Sequence, residues 1–556
     1  IKKIQDAGFT VVVYTQDEAA KNTTRSCAGI FSPGTYFSNE SQNLTNNITC
    51  IWVDLIENKM FMKGKYVVVG IANIDIFTGK TSIFQFKEAY LNNPTTYDEL
   101  ERFISIYNPS EVIFISNLPD ENEMDYIISY AGIQCSLIHK ICTTTSENLV
   151  KNIRVKNCEK QTYQKEILAK FYKIDDFDVF FQNFYNNNIA AQSFCYLLDF
   201  VYQHNPHLVN KIAEPIFENC SDRLILANHS LKQLNVIDDS IYNGKYSSVL
   251  KMLNICLTPM GRRKFAYNFL NPTTNIAYLQ REYDITEYFM TYLSDDDCNA
   301  FLKLNLSCIK DISKNERQIF IKKITPKSFF TLHNNIVLIS KIYEKVSTDT
   351  QVMQYLGVFE KNILSVKNYC DELAGFIKTN LVLELAKDID QLQNFDNNFI
   401  ERNVDSELDK KTDTLKESEL KLEAIREYLS LTIENREKKG KTTDYVKIHE
   451  TEKNNFSLIC TSRRCKILAD ALPATTSIVK LKYINDAIEK SFDFKVSKTQ
   501  FSFEKQSASN NIIVDDQIIG LCKNISSIKT SMKDLVLFVF NKFVTIFEMY
   551  QQKLES

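Results

Sequence analysis

The sequence predicts a multidomain protein in which an α/β layer is followed by an all-α body whose long helices carry a small β-rich tip. Three observations predict it. Residues 50–145 alternate short apolar runs with amphipathic stretches, as strands and helices do when they succeed one another. From 146 to 400 apolar residues recur at three- and four-residue spacing, the period of a helix face. Beyond 400, two long segments of helical period flank a stretch of strict alternation. The scarcity of Gly (13) and Pro (10) agrees, because it leaves room for long regular elements.

Composition bounds the function. A chain of 556 residues should form roughly three or four domains. Its net charge of -3 supplies no global basic field, so a nucleic-acid site must be a local patch. Fourteen cysteines lie scattered without a C-x-x-C pair, beside six histidines, which favours free thiols in a reducing compartment inside the cell over a zinc site. Cytoplasm, nucleus, mitochondrion and viral factory all satisfy that condition. No apolar run reaches the roughly 18 residues needed to span a bilayer, so no membrane role is expected. The nearest, Leu535 to Phe540, is hemmed by Lys533, Asp534, Asn541 and Lys542. The chain begins at Ile1 rather than Met and reads as a piece of a longer protein.

In chain order, Ile1 to Phe37 reads as a helix end, a strand over Phe9 to Tyr14 and a loop bearing Pro33-Gly34-Thr35. Cys50 to Ile56, Tyr66 to Asp75 and Thr81 to Gln85 read as strands, then Tyr97 to Tyr107 as a helix. Val112 to Ser116 is a further strand and Glu123 to Tyr130 a further helix, which makes a mixed sheet. Asp54, Glu57 and Asp75 could hold two divalent metals about 4 Å apart, the constellation of a nuclease. Asp75-x-x-Thr78-Gly79 is also an ordinary hairpin signal, which outweighs the nuclease reading. Ser193 to Tyr202, Ser221 to Leu234, Ile276 to Tyr292 and Lys327 to Val346 read as helices.

Leu408, Leu415, Leu422 and Leu429 then fall seven apart, while Lys411, Ser418 and Glu419 interrupt the second seam position. The spacing predicts one solvated rod of on the order of 60 Å if about 40 residues are helical. Its return partner carries Ile525, Ile528, Met532, Leu535, Val539, Phe543, Ile546 and Tyr550. Between them Thr443 to Glu450 and Phe456 to Thr461 alternate as strands around a turn at Lys453-Asn454-Asn455.

The most specific stretch is Ser247-Ser248-Val249-Leu250-Lys251-Met252-Leu253, followed by Thr258-Pro259-Met260-Gly261-Arg262-Arg263 and closed by Leu270-Asn271-Pro272. Thr258 suits an N-cap, and Pro259 the first helical position, where its missing N–H costs nothing. Phe265, Ala266, Phe269 and Leu270 follow at helical spacing, and Pro272 stops the run. This order resembles the core domain of the MutS family of DNA mismatch-repair proteins, and Ile276, Leu279, Gln280, Arg281 and Asp284 continue the pattern. Leu306, Ile309, Asp311, Ile312, Glu316 and Arg317 resemble a second landmark of that core, with an altered order at its end.

The resemblance implies a domain order: the end of an N-terminal mismatch-recognition domain (1–40), a connector of ribonuclease-H-like fold (50–145) and a helical core (146–400). A lever helix with its clamp (401–510) and a returning lever helix (511–556) follow. Gly8, Val11, Gln16, Arg25, Pro33, Gly34 and Thr35 match the close of the mismatch domain, whose Phe-x-Glu would precede Ile1. Ile71, Ala72, Asp75, Thr78 and Gly79 are similar to the connector, a non-catalytic domain in that family. Glu407-Leu408-Asp409 resembles the start of the lever, and His449-Glu450-Thr451-Glu452 with Leu458, Thr461, Arg463 and Arg464 resembles MutS variants of giant viruses and octocoral mitochondria.

At the clamp, Lys447, His449, Lys453, Asn454, Arg463, Arg464 and Lys466 are the candidate DNA contacts. With Lys441 they are offset only in part by Asp444, Glu450 and Glu452, a patch suited to phosphates without sequence readout. A solvated hairpin face is the competing reading. Thr258, Pro259, Gly261, Arg262, Arg263 and Pro272 are read as a structural core motif, Gly261 permitting close helix approach and the arginines pairing with carboxylates.

The family's P-loop needs a strand and a second glycine, but Gly440-Lys441-Thr442 has Asn435 at that place and a charged helix before it. No catalytic residue and no metal ligand is therefore assigned in this span. The resemblance implies ATP and Mg²⁺ in an ATPase domain after Ser556, double-stranded DNA as partner, and a homodimer or heterodimer of MutS-like subunits. Alternatives are a MutS relative acting in recombination or synapsis, the nuclease above, and a helical scaffold that does not bind DNA.

Overall fold

A computed structural model describes the chain except residues 17–24, 38–42, 59–63, 92, 119, 145–148, 219–222, 225–227, 239–243, 295, 361, 393, 394, 396, 438–444, 452–455, 508 and 556. It is a mixed α/β, multidomain protein with a large helical part and several sheets. It forms two compact units, one of Ile1–Ile324, Thr331–Ala374 and Gln551–Ser556, the other of Thr325–Phe330 and Gly375–Tyr550.

In the first unit β1 (Val11–Gln16) and β2 (Arg25–Phe31) form an antiparallel pair. A six-stranded sheet follows, built from β3 (Asn47–Asn58), β4 (Gly64–Asp75), β5 (Thr81–Ala89), β6 (Glu111–Ser116), β7 (Leu137–Cys142) and the two-residue β8 (Ile216–Phe217). Its order is β7-β6-β3-β4-β5-β8; β3, β4 and β5 are antiparallel neighbours, and β6 and β7 join in parallel.

The sheet is buried on both faces, so its strands read as nearly continuous apolar runs. Ile51, Val53, Val69, Ile71 and Phe114 face Leu100 and Phe103 of helix Asp98–Tyr107 and Ile127 of helix Glu121–Tyr130. Cys50, Trp52, Ala72 and Ile113 face the other side, where helix Asn188–His204 lies with Phe194, Leu197 and Val201. Period-two alternation thus sorts one strand between two cores. Gly70 allows the closest approach, because a Cβ there would sit 2.3 Å from the Ala190 nitrogen. Ser193 Oγ then donates to the Cys50 carbonyl at 2.8 Å.

Pro33-Gly34-Thr35 is fastened to this sheet. The buried Glu111 carboxylate accepts from Ser32 Oγ at 2.5 Å and from the Gly34 N–H at 2.9 Å. Only glycine fits at 34, since a Cβ would meet Ile48 at 2.6 Å and Glu111 at 2.7 Å.

Three expectations need correcting in this unit. The expected helix Ser221 to Leu234 is not continuous: Arg223 is in an isolated bridge with Thr273 and the described helix is Asn228–Gln233, while Ser221 and residues 222 and 225–227 lie outside the described residues. The strands β2 and β7 were not foreseen. The two-metal set fails geometrically, because Asp75 stands opposite Asn47 and Asp54 lies seven residues along β3, roughly 23 Å away at about 3.3 Å per residue. Asp75 instead accepts from the Asn46 N–H at 2.9 Å, the Phe77 N–H at 3.1 Å and Thr78 Oγ1 at 2.7 Å, which closes the hairpin. The Glu57 side chain lies outside the described residues.

The second unit is built on two rods. The outgoing rod is described over Ser406–Glu437, 32 residues or about 48 Å, and residues 438–444 after it lie outside the described residues. Asp405 caps it, accepting from the Glu407 and Leu408 N–H groups at 3.0 and 2.9 Å. Leu408, Leu415, Ser418, Leu422, Ile425, Leu429 and Ile433 are its buried stripe. The return rod, Asp516–Phe547, buries Ile518, Cys522, Ile525, Met532, Val536, Val539, Phe540, Phe543 and Phe547. That stripe differs from the expected one: Ile528 and Leu535 are half-buried, Ile546 is exposed, and Tyr550 falls in a 3₁₀ turn. The rod turns its face because Phe329 and Phe399 pack edge-on against Phe540, at 5.9 and 5.5 Å, while Phe376 stacks on Phe543.

Candidate nucleic-acid interface

Between the rods the described chain forms β9 (Lys447–Glu450), β10 (Phe456–Thr461), helix Ser462–Ala471, β11 (Ser477–Asn485), β12 (Ile488–Val496), β13 (Ser502–Lys505) and β14 (Asn510–Val514). Antiparallel pairing gives a four-stranded sheet of order β13-β14-β10-β9 and a separate β11-β12 hairpin. The sequence had placed strands only at 443–450 and 456–461. Thr443 and Asp444 are outside the described residues.

The β10 alternation decides where the candidate residues go. Leu458 and Cys460 point to helix Ser462–Ala471, whose Cys465 and Leu468 are buried against them. Register sets His449 opposite Ser457 and Lys447 opposite Ile459, so those two side chains emerge on the other face. Lys447 is exposed and His449 half-buried. Arg463, Arg464 and Lys466 ride instead on the helix, the two arginines in its first turn. The described members of the predicted set therefore fall into two groups, one on each side of the sheet. Lys453 and Asn454, with Lys441 and Glu452, lie outside the described residues.

The arginines are not equivalent. Both approach Glu437 at the end of the outgoing rod, Arg463 at 3.7 Å and Arg464 at 4.0 Å. Arg463 keeps 79% of its side chain exposed, whereas Arg464 keeps 25% and lies over the buried Tyr445 ring at 4.5 Å. One carboxylate thus faces two guanidiniums at long range. Glu437 and Tyr445 shape this corner and gave no signal in the sequence, since only the fold brings them to the arginines. Among the described residues Lys447 and Lys466 have no ion-pair partner. Of the exposed lysines on β11 and β12, Lys482 pairs with Glu489 at 2.8 Å, and register sets Lys480 opposite Asp493.

Among the described residues, parts of the insert lie alongside the rods rather than away from them. The β11-β12 hairpin doubles back along the outgoing rod: Tyr483 donates to Glu417 at 3.1 Å, and Lys416 pairs with Asp486 at the hairpin turn at 2.5 Å. Lys416 is roughly 30 Å back from Glu437 along the helix. At β9, Glu450 pairs with Lys529 of the return rod at 3.3 Å, and Glu419 with the same lysine at 3.6 Å. Glu450 and Thr451 line a cavity of about 850 Å³ with Leu385 and Phe395, residues the sequence had assigned to the helical core. The expected separation between tip and body is therefore corrected for this strand. Burial of Leu481, Tyr483 and Phe494 against the rod is the physical reason.

The core motif residues have structural partners. Thr258 Oγ1 caps the helix Pro259–Leu270 by accepting from the Gly261 N–H at 3.1 Å. A Cβ at Gly261 would meet that hydroxyl at 2.9 Å, so this glycine serves the cap rather than a neighbouring helix. Arg262 donates to the Cys256 carbonyl at 2.8 Å. Arg263 grips Asp311 with both nitrogens, one at 2.8 Å, and Asp311 caps the helix Ile312–Phe320 through the Lys314 N–H. The Pro272 carbonyl accepts from the Leu224 N–H at 2.9 Å. Among the described residues no helix is long and apolar enough to cross a membrane.

Comparison with known proteins adds the family. Residues 229–546 match MutS domain III. A mutS homologue of Acanthamoeba polyphaga mimivirus, named for DNA mismatch repair, is 23% identical across 99% of this chain and 49% of its own length. The mitochondrial DNA mismatch repair protein mutS homologue of Sarcophyton glaucum is 24% identical over 49% of this chain and 27% of that protein. The DNA mismatch repair protein MutS of Clostridioides difficile is 22% identical over 67% of this chain and 35% of its own. The chain spans about half the length, or less, of these curated relatives. A match that takes in the capped Thr258 turn, the Arg263–Asp311 clasp, the outgoing rod and the insert beyond it covers more than half of the sequence, and the chain belongs to the MutS family.

Proposed function

We propose that this chain is the central region of a MutS-like DNA mismatch-repair protein and that its β-rich insert holds duplex DNA by the phosphate backbone. The observation that carries this reading is the match over 229–546, which encloses the outgoing rod, the insert and nearly all of the return rod. The charge pattern of helix Ser462–Ala471 supports it. Its first turn holds Arg463 and Arg464 and no acidic residue, although the positive end of a helix ordinarily favours carboxylates. An anion such as a phosphate resolves that mismatch.

In this reading the rods are levers, the insert is the clamp and the six-stranded sheet is a connector of ribonuclease-H-like fold; its three antiparallel strands followed by parallel β6 and β7 support the last assignment. The intact protein would dimerise with a MutS-like subunit around DNA. ATP with Mg²⁺ would bind outside this span and bias how the levers are set, a coupling between distant sites. The described cysteines are all free thiols, in keeping with a reducing compartment within the cell.

Replacing Arg463 and Arg464 together by Ala should weaken binding to matched and mismatched duplexes alike. The slope of log affinity against log salt should fall by about two, one unit for each phosphate no longer neutralised. Fluorescence anisotropy across a salt series measures this. A loss confined to one sequence, or an unchanged slope, contradicts the proposal.

A further inference from the structure

Cys460 ends the buried side of β10 and Cys465 lies in helix Ser462–Ala471, with their sulfurs 2.8 Å apart. Both side chains are almost wholly buried. Forming a disulfide, with sulfurs at about 2.05 Å, therefore requires a movement of less than about 1 Å. The residues enclosed by such a bond are Thr461, Ser462, Arg463 and Arg464. The turn that would be stapled is the turn that presents both arginines.

We propose that Cys460 and Cys465 are a dithiol modification site, oxidised reversibly to a disulfide by a peroxide, and that the bond regulates how the Arg463–Arg464 turn meets DNA. The regulatory half rests on the function proposed above; the chemistry does not. Cys465 is the attacking sulfur. The Cys460 thiol donates a hydrogen bond to it, which holds the Cys465 thiol below the ordinary range, while the same bond and burial push Cys460 up. The Cys465 thiolate attacks one peroxide oxygen, the O–O bond breaks, and the departing oxygen takes a proton to leave as water. Cys465 is then a sulfenic acid. Cys460, giving up its proton, attacks that sulfur; the S–S bond forms and a second water departs. Two thiols have lost two electrons and two protons, and one peroxide has become two waters.

Closing the ring fixes the arginines before they meet the backbone, so ordering that binding would otherwise require is already done. The oxidised chain should bind duplex about threefold more tightly.

The test treats the full chain with hydrogen peroxide, alkylates the remaining thiols and maps peptides by mass spectrometry, with the exposed Cys27 and Cys308 as reference thiols. The expected result is joint loss of Cys460 and Cys465 alkylation, a peptide linking them that lacks two hydrogens, and recovery with dithiothreitol. Cys460→Ser should leave Cys465 as a trapped sulfenic acid, which dimedone labels. If both stay fully alkylatable at a dose that oxidises Cys27 and Cys308, the modification site is refuted. If the bond forms and duplex affinity does not change, regulation is refuted and the site stands. If neither redox form binds duplex, the function reading fails while the cross-link result is unaffected.

Discussion

Glu316 shows how one carboxyl sets a pH dependence. Burial, reinforced by the nearby Glu555 carboxylate, pushes it from the ordinary 4.5 up to about 7, against the pull of Lys80, Arg317 and Lys211. The folded chain thus holds this proton where the unfolded chain has released it. The stabilising contribution is complete below about pH 4.5 and disappears as pH rises through about 7. Its size is on the order of 1–3 kcal/mol. Glu316→Gln should flatten the pH dependence between 4.5 and 7 in urea melts and stabilise the chain at pH 8. An unchanged slope would show that Glu316 does not titrate in this way. Its neighbour Arg317 is buried outright and donates to the Asn210 carbonyl at 2.6 Å and to that of Leu208, which explains a second family-like motif by structure alone. Residues whose partner is local were legible in sequence, as Thr258 and its cap show. Glu111 and Asp311 were not, because their partners Ser32 and Arg263 are distant in the chain and only the fold brings them together.

Among elements, the rods were readable because leucines at seven-residue spacing need one neighbour and nothing more. Ser418 looked like a break in the seam. It is buried there with its hydroxyl satisfied by the Thr414 carbonyl at 2.8 Å and by Asn524 at 3.2 Å. The β11-β12 hairpin was less legible. Ile478, Ile484 and Ile488 are exposed and blur the apolar alternation, and its turn is Asp486-Ala487 rather than a glycine pair. Both turn residues have positive φ, 49° and 63°. Alanine is strained there, and Ala487→Gly should stabilise the hairpin by roughly 0.5–1 kcal/mol, seen as a higher midpoint in thermal melts. A lower midpoint would mean that lost chain entropy outweighs the strain.

At the scale of the whole molecule, each unit has its own core. The first is built on a sheet covered on both faces and the second on aromatic packing around Phe540 and Phe543. Two cores predict two transitions in calorimetry. Glu316→Gln should move only the transition of the first unit and Ala487→Gly only that of the second. A single transition displaced equally by both changes would show the units to be one cooperative body. The broad plan of α/β layer, helical body and rods around a β-rich insert followed from periodicity. The doubling back of the insert did not, because it depends on Tyr483 and Asp486 meeting a helix some 65 residues earlier, roughly the span that separates Lys416 from Asp486.

The claim that the insert touches DNA is tested most directly by site-specific photocrosslinking. A benzophenone group is placed at Lys466 in the insert, and a control at Leu304, which is 67% exposed in the first unit. Each chain is irradiated with matched and with mismatched duplex at low salt. The account predicts crosslinks from position 466 to both duplexes with equal yield, disappearing as salt rises. Crosslinks absent at 466, or no more frequent there than at 304, would contradict it.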